Sequence, residues 1–106
     1  MSDKPVSQYH KMKERHPQLM DAVEALGVAV AKDSPLSEKT RHLVQLAAAA
    51  AIRSEGSVHS HVRRAVDAGA SVEEVRHSIL VLTSTIGFPT VAAAMSWADD
   101  VLELKT

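Results

Sequence analysis

There is no cysteine among the 106 residues of this chain. That excludes disulfides, thiolate nucleophiles and cysteine-based metal sites. Aromatic side chains are nearly missing, with one Trp, one Tyr and one Phe. Glycine and proline are scarce, four of each, and no stretch alternates apolar with polar residues for long. No strands are predicted from such a pattern. Neither sign of charge dominates: 12 Lys and Arg stand against 13 Asp and Glu, a net charge of -1. With no basic excess to neutralise phosphates, nucleic acid is not expected as a partner. The N-terminus has no apolar signal core, and no apolar run approaches the length of a membrane span. The expectation is a cytoplasmic protein with no membrane partner.

What is present is a helical composition. Apolar residues make up 45% of the chain, mostly Ala, Val and Leu. Alanine favours helix and lets helices approach closely, so the predicted fold class is all-α, about five to six helices. A chain of this length is one domain, and a domain this small often gains by oligomerising. Residues 1–16 carry a local basic excess and read as an N-terminal arm or a short helix after Ser7, with Tyr9 and Met12 as its apolar anchors. Residues 17–106 form the domain proper.

Within it, Pro17 suits a first helical position. Leu19, Met20, Val23, Leu26, Val28 and Val30 mark a helix ending near Ala31. Lys32 to Pro35 is a turn. Ser37 caps the next helix, carried by Leu43, Leu46, Ala47, Ala50 and Ser54, and Gly56 is expected to interrupt it. A further helix starts near Ser57 with Val58, Val62 and Ala65 on one face, and stops at Gly69. Ser71 with Glu74 three residues on is a capping box. It opens a long helix over 72–86, broken by Gly87-Phe88-Pro89. A last helix runs from Pro89 through Val91, Met95, Ala98, Val101 and Leu102. The apolar faces of the 71–86 and 89–102 helices exceed what one subunit is expected to bury.

The densest polar stretch is Ser54 to Val62. It holds a carboxylate (Glu55), two imidazoles (His59, His61) and three hydroxyls (Ser54, Ser57, Ser60) between apolar helical segments. Groups at that density are costly to bury unless they pair or work. His61 lies beside the Val58/Val62/Ala65 stripe, either as an acid–base group or as a core histidine bonded to Ser57 or a carbonyl. His59 is about 200° around the helix from it, so the two cannot share a face. Glu55 and His59 could pair, as a helix-end salt bridge or as part of a site. His42, Glu55, His59 and His61 together could hold a metal, although no metal-ligand spacing supports this. His10, His16 and His77 read as surface residues. Trp97 and Phe88 read as core or interface groups.

From Leu36 onward the chain resembles the carboxymuconolactone decarboxylase and alkylhydroperoxidase D (AhpD-like) superfamily. The resemblance rests on Leu36 to Arg41, then Leu43 and the alanine-rich helix. It continues through His61-Val62-Arg63-Arg64-Ala65, Ala68 to Ser71, Glu73-Glu74-Val75 and Gly87-Phe88-Pro89. It covers about two thirds of the chain in order. It implies an AhpD-like helical subunit that assembles into a ring, commonly a trimer or hexamer. The peroxidase branch carries a Cys-x-x-Cys pair followed by His; here those positions read Ser54, Ser57 and His61. Its relay glutamate falls near His42. Serine cannot supply a thiolate, so peroxidase or peroxiredoxin chemistry is not expected. The decarboxylase branch lacks the cysteines and keeps a His-apolar-Arg run, which His61-Val62-Arg63 resembles.

The resemblance therefore implies an enzyme with His61 as the catalytic acid/base and His59, Glu55 and His42 near it. Ser57, Ser54 and Arg63 would contact a small acidic or carbonyl ligand, with Arg63 or Arg64 pairing a carboxylate. No cofactor is expected. The alternative is a non-catalytic oligomeric module that retains the scaffold.

Overall fold

The computed structural model describes residues 4–103, with side chains from residue 8 onward. Among these residues every regular element is helical: α1 (Lys4–Arg15), α2 (Pro17–Asp33), α3 (Glu38–Ala51), α4 (Glu55–Asp67), α5 (Val72–Leu80), α6 (Thr83–Ile86) and α7 (Phe88–Leu102). The all-α expectation holds, with α6 a single turn.

Helices α3, α4, α5 and α7 enclose the core. Leu46, Val58, Val62, Val75, Ile79, Val91 and Leu102 fill it, and Ala49, Ala50, Ala65, Ala94 and Ala98 line the places where helices meet. Small side chains there allow close approach of the helix axes. Leu46 is fully enclosed, and truncating such a leucine to alanine costs about 2–5 kcal/mol.

The helix starts follow their caps. Ser37 Oγ accepts from Thr40 N–H at 3.1 Å to open α3. The Ser71–Glu74 capping box is complete in both directions, at 3.0 and 2.9 Å, and opens α5. Gly87, at φ 93°, and Pro89 in the first turn set the start of α7.

Four expectations need correction. First, α1 begins at Lys4, ahead of Ser7. Its Lys13 reaches α2, with Nζ 2.8 Å from Glu24 and 3.3 Å from Asp21.

Second, Gly56 does not break the second predicted helix; it lies inside the first turn of α4. The break is made by Ile52-Arg53-Ser54. Arg53 takes φ 58°, its N–H bonds Ala50 O, and Ser54 N–H bonds Ala49 O. That pair of bonds is a Schellman stop, built on arginine where glycine is the usual residue.

Third, the 72–86 helix is two elements. The backbone tightens at Val81-Leu82, with Leu82 N–H on Ile79 O, and Thr83 Oγ1 donates to the Leu80 carbonyl at 2.7 Å. A hydroxyl that satisfies a terminal carbonyl competes with continued helix.

Fourth, the surplus apolar surface lies on α2. The 71–86 and 89–102 faces are largely covered, whereas Leu19, Val23, Leu26, Val28 and Val30 are exposed and Met20 alone of that set is buried. Among the described residues, no helix is long and apolar enough to cross a membrane.

Candidate functional site

The tight stop at Arg53 folds α4 back along α3, and this hairpin places the polar stretch. Ser54 serves as N-cap of α4, its Oγ accepting from Ser57 N–H at 3.4 Å. Its hydroxyl is thus engaged in closing the turn. Ser57 is half-buried and Glu55 exposed.

From there the helical period decides which way each histidine faces. Val58, Val62 and Ala65 point into the core. His61, half-buried, turns toward α3 and meets His42. The two Nδ1 atoms stand 3.3 Å apart, with ring centroids 5.5 Å apart and planes tilted by 36°. One Nδ1 must carry the shared proton and the other accept it.

Both imidazoles are held below their ordinary titration range. Burial pushes His61 down to about 4, with the neighbouring His42 and the Arg64 cation adding to it. Burial also lowers His42, followed by the Arg41 and Arg64 cations; Glu38 and the Gln45 side chain oppose this. Desolvation disfavours the charged ring, so both are neutral near pH 7. Arg41 precedes His42 on α3, and Arg64 lies three residues beyond His61 on α4.

His59 faces away from this pair. It is 2% exposed, and its Nε2–H donates to Asp100 Oδ2 on α7 at 2.9 Å. Its Nδ1 has no hydrogen-bond partner in the interior. That is consistent with the tautomer protonated at Nε2, because a bare acceptor is cheaper to bury than a bare donor. Glu55 lies near: one ligand-capable atom each from Glu55, His59 and Asp100 falls within a 4.8 Å cluster.

The sequence candidates therefore separate. His42 and His61 come together. His59 and Glu55 gather around Asp100 instead, so His42, Glu55, His59 and His61 do not converge on one point. Arg63 is half-buried and Arg64 exposed. Phe88 is exposed and Trp97 packs against the core, while His10, His16 and His77 are on the surface. Asp100 is the residue that sequence reasoning misses. It lies 41 residues from His59, and no local spacing links the two.

Comparison with known proteins gives three findings. The carboxymuconolactone decarboxylase family model matches residues 17–100. An uncharacterised protein of Haemophilus influenzae is 39% identical over 57 residues, which is 54% of this chain. The chain spans about half the length of that curated relative, 50% of it being covered. The crystal structure of an apo carboxymuconolactone decarboxylase family protein from Legionella pneumophila is similar across 99% of this chain and 94% of that one. Its TM-score is 0.84 at 25% sequence identity.

Proposed function

The chain belongs to the carboxymuconolactone decarboxylase family, and on that premise we propose that it is a small-molecule enzyme in which His61, paired with His42, moves a proton. The observation that carries this reading is the 3.3 Å contact between the two Nδ1 atoms. A working imidazole needs a partner to hold its tautomer, and His42 stands where the peroxidase branch is expected to place its relay glutamate. A neutral pair shares one proton between its Nδ1 atoms and keeps one lone pair free to take another; the cation formed on protonation is disfavoured by burial and would need an anionic substrate beside it.

The substrate class this supports is a small acidic or carbonyl compound. Arg41 and Arg64 add positive charge around the pair. A substrate carboxylate drawn to them would offset that charge and raise the imidazoles toward working range. In a decarboxylation the carbon–carbon bond to the carboxylate breaks and carbon dioxide leaves. The electron pair left on carbon then takes a proton, which the pair would supply. Ser54 and Ser57, where the peroxidase branch carries cysteines, give no sulfur nucleophile, so peroxide should not be reduced with dithiol donors.

Self-association belongs to the same proposal. Leu19, Val23, Leu26 and Val30 repeat at steps of four, three and four along α2 and are exposed, the spacing of an interhelical seam. The resemblance implies a trimer or hexamer, and sedimentation should report at least a trimer. A clean monomer at micromolar concentration would refute that part.

The catalytic part is tested with γ-lactone dicarboxylates and related acids, following carbon dioxide release. His61→Ala should lower turnover by about 100-fold or more while circular dichroism and oligomer size stay unchanged. Wild-type turnover in His61→Ala would end the reading.

A further inference from the structure

A second polar group lies on the other side of α4. Glu55 and His59 stand one helical turn apart and so face the same way. Asp100 meets them from α7, its Oδ2 2.9 Å from His59 Nε2. One ligand-capable atom from each of the three lies within 4.8 Å of the others. Two carboxylates and an imidazole are donors that hold a divalent transition metal of the zinc class. We propose that Glu55, His59 and Asp100 bind such an ion, His59 through Nε2 and each acid through a carboxylate oxygen, with water completing the coordination.

The geometry needs little adjustment. Ligand atoms about 2.0–2.2 Å from an ion stand about 2.8–3.1 Å apart at a right angle and about 3.3–3.6 Å apart at the tetrahedral angle. The His59–Asp100 separation already matches the first case. Glu55 has only to swing inward, and its exposed position in the first turn of α4 leaves it free to do so. Both acids open to solvent, which gives the ion a way in.

His59 sets this group apart from an ordinary patch of surface acids. Its ring is almost fully enclosed, so it cannot turn away into water. Its Nδ1 has no hydrogen-bond partner among the described residues, and its Nε2 has only a carboxylate that is itself half open to solvent. A buried polar group so short of partners calls for an occupant, and an ion at Nε2 is one. The charge also fits. The two carboxylates match a divalent cation, and Arg76 on the neighbouring α5 is engaged by Asp99 at 3.2 Å instead. The ion displaces the proton that Nε2 gives to Asp100 and sends it to Nδ1, where it meets no acceptor. A buried bare donor weakens binding, so saturation is expected at micromolar rather than nanomolar metal.

This site shares neither His61 nor His42 with the acid–base reading and stands or falls apart from it. The test is calorimetric titration of the chelator-stripped full chain with Zn²⁺, joined to long-range ¹H–¹⁵N spectra of the wild type, which need no variant to fold. The result expected is one ion per chain. His59 should change from the tautomer protonated at Nε2 to the one protonated at Nδ1, while the His42 and His61 signals stay in place. Affinity should fall by about tenfold or more in Glu55→Gln and in Asp100→Asn, since loss of even an outer partner of a metal ligand costs that much. It should stay unchanged in His61→Gln and His77→Gln. Absence of saturable binding up to millimolar Zn²⁺ would overturn the site. So would undiminished affinity in either carboxylate variant, or spectral changes confined to histidines other than His59.

Discussion

His59 and His61 lie two residues apart on α4, yet their surroundings are opposite. His59 is sealed between helices and gives its one proton to a carboxylate on α7. His61 is partly open and shares its proton with another imidazole on α3. The helical step of about 100° per residue accounts for the divergence. It sends one ring to the α4–α7 seam and the other to the α3–α4 seam. A polar residue in a helix is therefore read by what lies opposite it. His59 fastens two helices together, whereas His61 has a partner that can exchange a proton with it.

Truncation should separate the two most strongly. His59→Ala removes a fully enclosed ring and its bond to Asp100, and should cost about 2–4 kcal/mol. His61→Ala should cost about 1 kcal/mol or less, because its ring is half-open to water. Thermal or denaturant unfolding of the two variants side by side checks this. Equal losses would remove the distinction.

Acid should act next. His61 is depressed from its ordinary 6.5 to about 4, and His42 is lowered as well. As pH drops, the unfolded chain therefore takes up protons before the folded one. The stability this contributes is complete above about pH 6.5 and is lost as pH falls through about 4. After allowance for screening by solvent it amounts to about 1–2 kcal/mol. The groups acting on the pair are Glu38, Arg41 and Gln45 from α3 and Arg64 from α4. In His61→Ala the decline between pH 6.5 and 4 should flatten, as seen in unfolding free energies measured across that range. His77→Ala, at the surface, should leave the decline unchanged.

Much of this is legible in the residues, and what is not has physical reasons. The Ser71–Glu74 box and the Ser37 cap announce helices because their partners are three residues away. The Val58/Val62/Ala65 stripe marks the core face of α4, and the helical step alone separates His59 from His61. The meeting of His42 with His61 follows only from the family resemblance, since no spacing joins residues on two helices. Asp100 is invisible for the same reason. Gly56 draws the expected break because glycine is the usual left-handed residue, whereas here an arginine takes that conformation. The open face of α2 carries no mark of its own, because an apolar stripe looks the same whether its cover is the same chain or another surface.

The smallest effect is expected at the Arg53 turn. Gly69 and Arg53 hold equivalent positions in two Schellman stops, at φ 102° and 58°. A side chain in the left-handed region costs about 1–2 kcal/mol. Against this, Arg53 gains a bond from Nη1 to Thr90 Oγ1 at 3.0 Å. Arg53→Gly should stabilise by about 0.5–1 kcal/mol in chemical denaturation, and Gly69→Ala should destabilise by a similar amount.

The contrast between the two histidines is tested most directly by a pH titration of the imidazole nitrogens, using long-range ¹H–¹⁵N correlation in the metal-free wild-type protein. His61 is expected to stay neutral through the physiological range and to titrate only near pH 4, with the His42 signals moving alongside it. His59 should show the tautomer protonated at Nε2 at neutral pH. A His61 that titrates near its unperturbed 6.5, independently of His42, would contradict a buried, proton-sharing pair.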